Sequence, residues 1–368
     1  MKISSVGIAG LGLIGGSIAK SLRLEYPGLI ISAFDFPSVL EKAKQQNVID
    51  ESVDDHLKLL DNDLIILSLP VFKSLSLYKE LYPELRENQI IVDVCSVKSL
   101  FSEASEKLKS KGKYIGLHPM SGKEKNGFDN SDSLLFENAV CFVCDNNKNE
   151  ITDNVLNFLK CTGLRFTFID ALLHDKIAAE VSHLPQLLSV ALVNEVAKVE
   201  DNFNFINFAG SGFRDMTRIA SSDFKLWEEI IKANKQNIIN SLQNIVKRIN
   251  SISENLAAEN FDYLKEQFEL ANKNRNDIPF NNKGFIQPLF DITVFLEDKA
   301  GTLNKLTSIL AKNNLNIKDI ELLKIREGSG GNFRLYFDSA ESAQKAYLIL
   351  KENNFATNFT NSHEIFNS

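Results

Sequence analysis

Apolar residues in the first 170 positions come in short, nearly unbroken runs separated by amphipathic stretches. The runs are ISSVGIAG (3–10), LIISAF (29–34), DLIILSLP (63–70), QIIVDV (89–94), KYIGLH (113–118), NAVCFV (138–143) and RFTFID (165–170). A strand that is apolar on both faces has to be covered on both faces, and helices between such strands supply the cover. The pattern predicts an α/β fold, a Rossmann-type doubly wound parallel sheet over residues 1–170.

From 171 to 275 the period changes. The stretches HDKIAAEVSHLPQLLSVALVNEVAKVE (174–200) and DFKLWEEIIKANKQNIINSLQNIVKRINSISENL (223–256) read as long helices, the first interrupted only by Pro185, where a kink is predicted. Helices this apolar must bury themselves in their own domain or against another subunit. A subunit interface is the preferred reading, so residues 171–275 are predicted to be an all-helical dimerisation domain of a homodimer. Residues 276–288, rich in Asn, Lys, Pro and Gly, form a predicted linker. The pattern then restarts over 289–361 as strand, helix, strand, strand, helix, with GSGG (328–331) closing a hairpin; this predicts a small α+β (βαββα) domain.

Bulk properties narrow the classes. A chain of 368 residues accommodates two or three domains. The formal net charge is −7 and no block of Lys and Arg stands out, which argues against nucleic acid or an acidic membrane surface as partner. No run approaches the roughly 18 apolar residues needed to span a bilayer. The opening MKISSVGIAG lacks the charged and apolar regions of a secretory signal, so a cytoplasmic protein is expected. Cys141 and Cys144 make a C-x-x-C on paper, but in a strand positions three apart face opposite ways. No second Cys/His pair completes a metal set. Cys95, Cys141, Cys144 and Cys161 are therefore expected to be free thiols, and no metal is expected.

The first strand ends in Gly10-Leu11-Gly12-Leu13-Ile14-Gly15-Gly16, a G-x-G-x-x-G between strand and helix. Gly10 permits the tight turn and Gly12 the approach of a pyrophosphate. Gly15 permits close helix–strand packing, and the helix N-terminus at Leu13 and Ile14 faces the phosphates. Asp35 ends the second strand where an acid binds the ribose 2′-hydroxyl; it would repel a 2′-phosphate, so NAD is preferred over NADP. Ser68 and Pro70, ending the third run, complete the predicted cofactor-binding set. Two further polar stretches, Asp93–Lys98 and His118–Glu124, also lie at strand ends, where doubly wound sheets bind ligands. By itself His118 reads by default as a satisfied histidine ending a strand. A Gly-rich loop, Ala209–Asp223, leads into a helix.

Taken together, GLGLIGGS, DVCSVK, HPMSGKE, SHLPQ and AGSGFRDMTRIASSD followed by Trp227 resemble the prephenate/arogenate dehydrogenase family of tyrosine biosynthesis, over roughly residues 1–275. Residues 290–360 resemble an ACT domain, a small-ligand regulatory module. The resemblance implies NAD-dependent oxidative decarboxylation of prephenate to 4-hydroxyphenylpyruvate. Hydride leaves the hydroxyl-bearing ring carbon, the hydroxyl proton is removed, and CO2 departs as the ring becomes aromatic. By the same resemblance His118 accepts that proton, a task suited to an imidazole that is neutral at working pH. Ser96 orients His118, and His183 is a second active-site histidine that assists binding. Arg218 holds a substrate carboxylate with its planar fork of donors. Glu124 shapes the pocket, and Arg214 and Trp227 contribute walls. Asp298, Gly301 and Asn316 are the implied effector-binding residues, with tyrosine as feedback inhibitor.

Blander readings stand beside these. His183 could be a core histidine bonded to a neighbour, and Arg214 and Arg218 could merely pair with Asp215 or Asp223. His56, His174 and His363 read as surface or structural. Two departures from the family pattern bear on function. Gln186 stands where the family often has a second histidine, which touches pH dependence and the choice between prephenate and arogenate. Ala300 replaces the usual proline of the ACT turn Asp298-Lys-Ala-Gly301, although Gly301 keeps the turn. Rival functions are an arogenate dehydrogenase, a β-hydroxyacid dehydrogenase and a non-catalytic NAD/amino-acid sensor. The second would need a catalytic lysine in the helical domain, and no lysine has a matching context. The set Ser96, His118, His183 and Arg218 argues against the third.

Overall fold

The structure, a computed structural model, describes residues 3–123, 125–145, 148–277, 289–326 and 328–359. The chain divides into two compact units, Met1–Asp277 and Ile278–Ser368.

In the first unit every predicted apolar run contains a strand. The strands are β1 (Ser5–Ala9), β2 (Ile30–Phe34), β3 (Glu51–Ser52), β4 (Leu64–Leu67), β5 (Ile90–Asp93), β6 (Lys113–Pro119), β7 (Val140–Cys144) and β8 (Arg165–Phe168). They form one sheet in the order β3-β2-β1-β4-β5-β6-β7-β8. Helices α1 (Leu13–Glu25), α2 (Pro37–Gln45), α3 (Val71–Leu81), α4 (Ser99–Lys107) and α5 (Glu150–Leu159) cover it. Alternation along a strand feeds both faces. Leu64 and Ile66 pack in one cluster with Ile18 and Leu22 of α1 and Val155 of α5. Ile65 and Leu67 pack in the other with Leu77, Tyr78 and Leu81 of α3 and Phe101 of α4. Two strands depart from the predicted parallel sheet: β7 runs antiparallel to β6, and β8, parallel to β7, shares the reversed direction. An apolar run reports burial on both faces and carries no direction, so the pattern could not show the reversal. The chain switches direction of winding between β1 and β4, which opens a crevice at their carboxyl ends.

The helical part holds α6 (Ala171–Ala178), a single π-helical turn (Ala179–His183) and α7 (Leu184–Val196). The interruption predicted at Pro185 is this wide turn just before it; Pro185 itself sits in the first turn of α7, where a missing N–H is harmless. A short hairpin of β9 (Val199–Glu200) and β10 (Phe203–Asn204) follows, then α8 (Ser211–Thr217) and a 3₁₀ turn (Arg218–Ser221). The second long predicted helix is two helices, α9 (Phe224–Ala233) and α10 (Lys235–Ala257), broken at Asn234. The last, α11 (Phe261–Asn276), runs into the predicted linker, whose residues 278–288 lie outside the described residues. In α7 the buried residues include polar Gln186 and Ser189, while Leu187, Leu188, Val190 and Val193 are only half-buried. Val246, Ile249, Ile252 and Leu256 of α10 are exposed. The apolar excess of these helices is thus not used up within one chain. Among the described residues no helix is long and apolar enough to cross a membrane.

The second unit contains β11 (Phe290–Glu297), α12 (Thr302–Lys312), β12 (Asp319–Arg326), β13 (Gly330–Phe337), α13 (Ala340–Glu352) and β14 (Thr357–Phe359). Its antiparallel sheet has the order β12-β13-β11-β14 and packs Ile292, Val294, Leu335 and Phe337 against Leu306, Leu310, Ala343, Ala346 and Leu350. This is the predicted α+β domain with one added edge strand, β14. Gly301 caps α12 at φ +88°, a conformation that favours glycine.

Candidate active site

Strands β1, β2, β4, β5 and β6 run parallel and end on one edge of the sheet. Gly10 leaves β1 at φ +95°, and a Cβ there would lie 2.6 Å from the Ser68 carbonyl oxygen. A Cβ on Gly15 would come within 2.0 Å of the Gly10 carbonyl oxygen and 3.0 Å of the Ser68 side chain. Gly12 differs: nothing lies within 4 Å of its missing Cβ, and no side chain caps α1 behind it. The amides of the first turn therefore face an open cradle, the arrangement by which a helix N-terminus receives an anion. Leu13 is buried and Ile14 half-buried in that turn. Asp35 Oδ2 accepts the Leu11 amide at 2.6 Å and Oδ1 the Phe36 amide at 2.6 Å. Its carboxylate is thereby fixed beside the cradle, and each oxygen retains accepting capacity. Pro70 is exposed at the start of α3.

At the end of β6, His118 is 8% exposed. Its Nδ1 lies 2.8 Å from Nε2 of His174, which is fully buried on α6. Nδ1 of His174 lies 2.8 Å from Oδ1 of Asp175. Asp175 also accepts the Lys98 amide at 2.7 Å and the Ser99 amide at 2.9 Å. The loop after β5 and the start of α6 are thus tied to the same histidine pair. Lys98 is fully buried too; its Nζ pairs with Asp93 and donates to the Leu117 carbonyl at 2.8 Å. The Tyr114 hydroxyl donates to Asp93 at 2.8 Å. Burial first, then the nearby His174, Lys98 and His183, push the His118 pKa well below its usual 6.5. Burial tends to raise the Asp175 pKa, but hydrogen bonds from His174, Ser99 and the Lys98 amide hold it below its usual range.

The π turn brings His183 inward, to 1% exposure. Burial lowers its pKa to about 4, with Asp175 opposing. The break between α9 and α10 points Asn234 at the same place. Its Nδ2 donates to the Asp175 carbonyl at 2.7 Å and to Nδ1 of His183 at 3.3 Å. The Trp227 ring meets His183 edge-on, centroids 5.8 Å apart. Farther along α7, Gln186 Nε2 donates to the Ile219 carbonyl at 2.9 Å and Ser189 to the Met216 carbonyl at 3.1 Å. These bonds anchor the segment that carries Arg214 and Arg218, both exposed.

Residues 18–168 match the nucleotide-binding domain of prephenate dehydrogenase, and residues 170–270 match the prephenate dehydrogenase dimerization domain. The prephenate dehydrogenase of Lactococcus lactis subsp. cremoris is 31% identical over 358 residues, 96% of this chain and 98% of that protein. The chain belongs to the prephenate dehydrogenase family. It is accordingly an oxidoreductase. The prephenate dehydrogenase of Bacillus subtilis is 30% identical over 346 residues, 92% of this chain and 93% of that protein. Prephenate dehydrogenase from A. aeolicus, in complex with hydroxyphenyl propionate and NAD+, has a crystal structure similar to this one. It gives a TM-score of 0.70 at 29% identity, covering 76% of this chain and 99% of that one.

The predicted residues separate by their place in the fold. His118, His183 and Trp227 belong to one connected buried cluster with His174, Asp175 and Asn234. Gly10, Gly12, Gly15, Asp35 and Ser68 line the neighbouring turn. Ser96 is half-buried just beyond β5, and His118 Nδ1 meets His174. Glu124 and His363 lie outside the described residues. In the second unit, Asp298 and Asn316 are exposed, and Gly301 begins α12.

Three members of the buried cluster, His174, Asp175 and Asn234, are not among the predicted site residues. His174, expected at the surface or in a structural place, is fully buried, which removes the first alternative, and it touches His118. The available signal was the pair His174-Asp175 inside the apolar stretch ALLHDKIAA, where ionisable side chains need partners. Asn234 gave no signal, because it looked like one more polar residue of a long helix.

Proposed function

We propose that the chain catalyses the NAD-dependent oxidative decarboxylation of prephenate to 4-hydroxyphenylpyruvate, with His118 accepting the proton of the ring hydroxyl. The observation that carries this reading is a buried, neutral histidine at the end of β6, on the same sheet edge as the Gly10–Gly15 cradle. NAD, when bound, supplies the hydride acceptor. The Gly10–Gly15 turn with Leu13, Ile14, Ser68 and Pro70 holds its pyrophosphate half, and Asp35 accepts its ribose hydroxyls and disfavours NADP.

The protein's own groups do the rest. Hydride departure leaves positive charge on the hydroxyl-bearing carbon, and His118 lowers that barrier by taking the hydroxyl proton. Loss of CO2 then delivers electrons to the ring. Prephenate dianion and NAD+ become 4-hydroxyphenylpyruvate monoanion, CO2 and NADH, with no net proton released. The proton on His118 therefore returns to the phenolic oxygen. His183 accepts from Asn234 at Nδ1, so its Nε2 carries a hydrogen and serves as a neutral donor to the substrate. Arg218 clamps a carboxylate, Trp227 and Arg214 wall the site, Glu124 closes it, and Ser96 steadies His118.

Around this site we assign residues 1–170 to the cofactor domain, 171–275 to a helical domain that pairs two copies through α7 and α10, and 289–361 to an ACT-like module. That module takes tyrosine near Asp298, Gly301 and Asn316 as feedback inhibitor. The test is NADH formation by the purified chain with prephenate and with arogenate, each with and without tyrosine. Turnover of prephenate, slowed by tyrosine, is expected. Turnover of arogenate alone would replace the substrate, and turnover of neither would overturn the reading. Removing residues after 285 should abolish inhibition and leave turnover.

A further inference from the structure

We infer that His174 and Asp175 are positioning residues for the reaction, setting the tautomer of His118 so that its Nε2 is the accepting nitrogen and sharing the charge when the proton arrives. The inference rests on the proposed role of His118 and adds the device that prepares it.

The tautomers follow from the donors along the chain of contacts. Asp175 receives two backbone amides, from Lys98 and Ser99, and these can only donate. Its carboxylate is thus built as an acceptor, and the His174 Nδ1 beside it at 2.8 Å carries the hydrogen. With both rings neutral, Nε2 of His174 is then a bare lone pair. Nδ1 of His118, 2.8 Å away, must donate to it. A neutral imidazole with its hydrogen on Nδ1 has its lone pair on Nε2. Nothing among the described residues pairs with that nitrogen, so it is left for the substrate hydroxyl.

The same chain handles the charge. Once Nε2 takes the hydroxyl proton, His118 is an imidazolium whose Nδ1–H already points at His174, with the Asp175 carboxylate directly behind. A pre-aimed acceptor and anion need no rearrangement at the moment of reaction. The other charged neighbours do not supply this help. Lys98, a cation, disfavours positive charge on His118, and Asp93 is already committed to Lys98 and Tyr114. The geometry is the acid–base–orienter logic of a hydrolytic triad, with a second imidazole inserted between carboxylate and base.

Two measurements test this. The first is kinetic. His174→Phe fills the space but neither donates nor accepts; kcat should fall on the order of 10²–10⁴-fold, as for a disabled base, with KM for prephenate and NAD unchanged. His174→Gln, which offers an acceptor to His118, should recover part of the loss. A His174→Phe enzyme with parental kcat, while His118→Asn is inactive, would overturn the positioning role and spare the proposed function. Parental activity in His118→Asn would instead remove the proposed role of His118. The second measurement is ¹⁵N NMR of imidazole-labelled, cofactor-free protein, in which the five histidines are assigned by single substitutions. His118 should show a protonated Nδ1 and bare Nε2, and lose that preference in His174→Phe. A protonated Nε2 on His118 at neutral pH would overturn the inference without reference to activity.

Discussion

His118 Nδ1 and His174 Nε2 face each other at 2.8 Å, one from the end of a strand and the other from the first helix of the helical part. The contact bridges the sheet that carries the nucleotide cradle and the helices that carry His183 and the arginines. It also keeps a titratable base away from water, and burial sets how that base responds to acid.

The proposed proton acceptor, His118, can act only when neutral, and burial holds its pKa well below 6.5 in the folded chain. The kcat/KM for prephenate should therefore stay level as pH falls from 8 to about 6.5, the unperturbed histidine value, and drop only below it. The stability sign is the same. The unfolded chain takes up protons near pH 6.5 while folded His118 and His183 do not, and His183 holds out to about 4. Between those limits His183 subtracts at most about 1.4 kcal/mol of stability per pH unit, and His118 acts with the same sign. Urea midpoints measured from pH 7 to 4.5 should fall, and fall less steeply in His183→Gln. An acid limb at or above pH 7 would contradict the burial of His118.

Lys98 is the buried cation of the pair with Asp93. Replacing it with Met strands a carboxylate that still accepts the Cys95 amide and the Tyr114 hydroxyl. Removing one partner of a buried pair costs about 3–5 kcal/mol. Equilibrium urea unfolding should show that loss for Lys98→Met and a smaller one for the double variant Lys98→Met with Asp93→Asn. Equal losses would mean that Lys98 acts through packing alone.

Asp35 anchors the Leu11 amide and faces the cradle. Charged hydrogen bonds contribute about 1.5–3 kcal/mol, so Asp35→Ala should lower kcat/KM for NAD by about ten- to a hundredfold and spare NADP. Parallel losses with both cofactors would reduce Asp35 to a turn-builder.

Arg218 rides on the turn that Gln186 holds through Ile219. Arg218→Ala should raise KM for prephenate by about ten- to a hundredfold, the worth of a charged hydrogen bond, with kcat less affected. An unchanged KM would move the carboxylate site elsewhere. Gln186, standing where the family often has histidine, is spent on the backbone and adds no titrating group near His183.

Much of the scaffold was legible because its signals are local. Two-sided burial writes itself as unbroken apolar runs, and the close approaches at Gly10 and Gly15 exclude any side chain. What escaped depends on tertiary contacts. The two-residue strand β3 and the three-residue β14 are too short for a period. The reversal of β7 and β8 leaves no mark on composition. The break at Asn234 and the π turn before His183 occur inside helical patterns, and both serve to aim side chains at one point. The contact of His174 with His118 was hidden for the same reason: the two are 56 residues apart, and only the fold puts them together.

The role of His118 as proton acceptor is tested most directly by His118→Asn, measured for prephenate-dependent NADH formation alongside the urea midpoint. A fall in kcat on the order of 10²–10⁴-fold with the midpoint retained is expected. Near-parental turnover in a folded variant would contradict it.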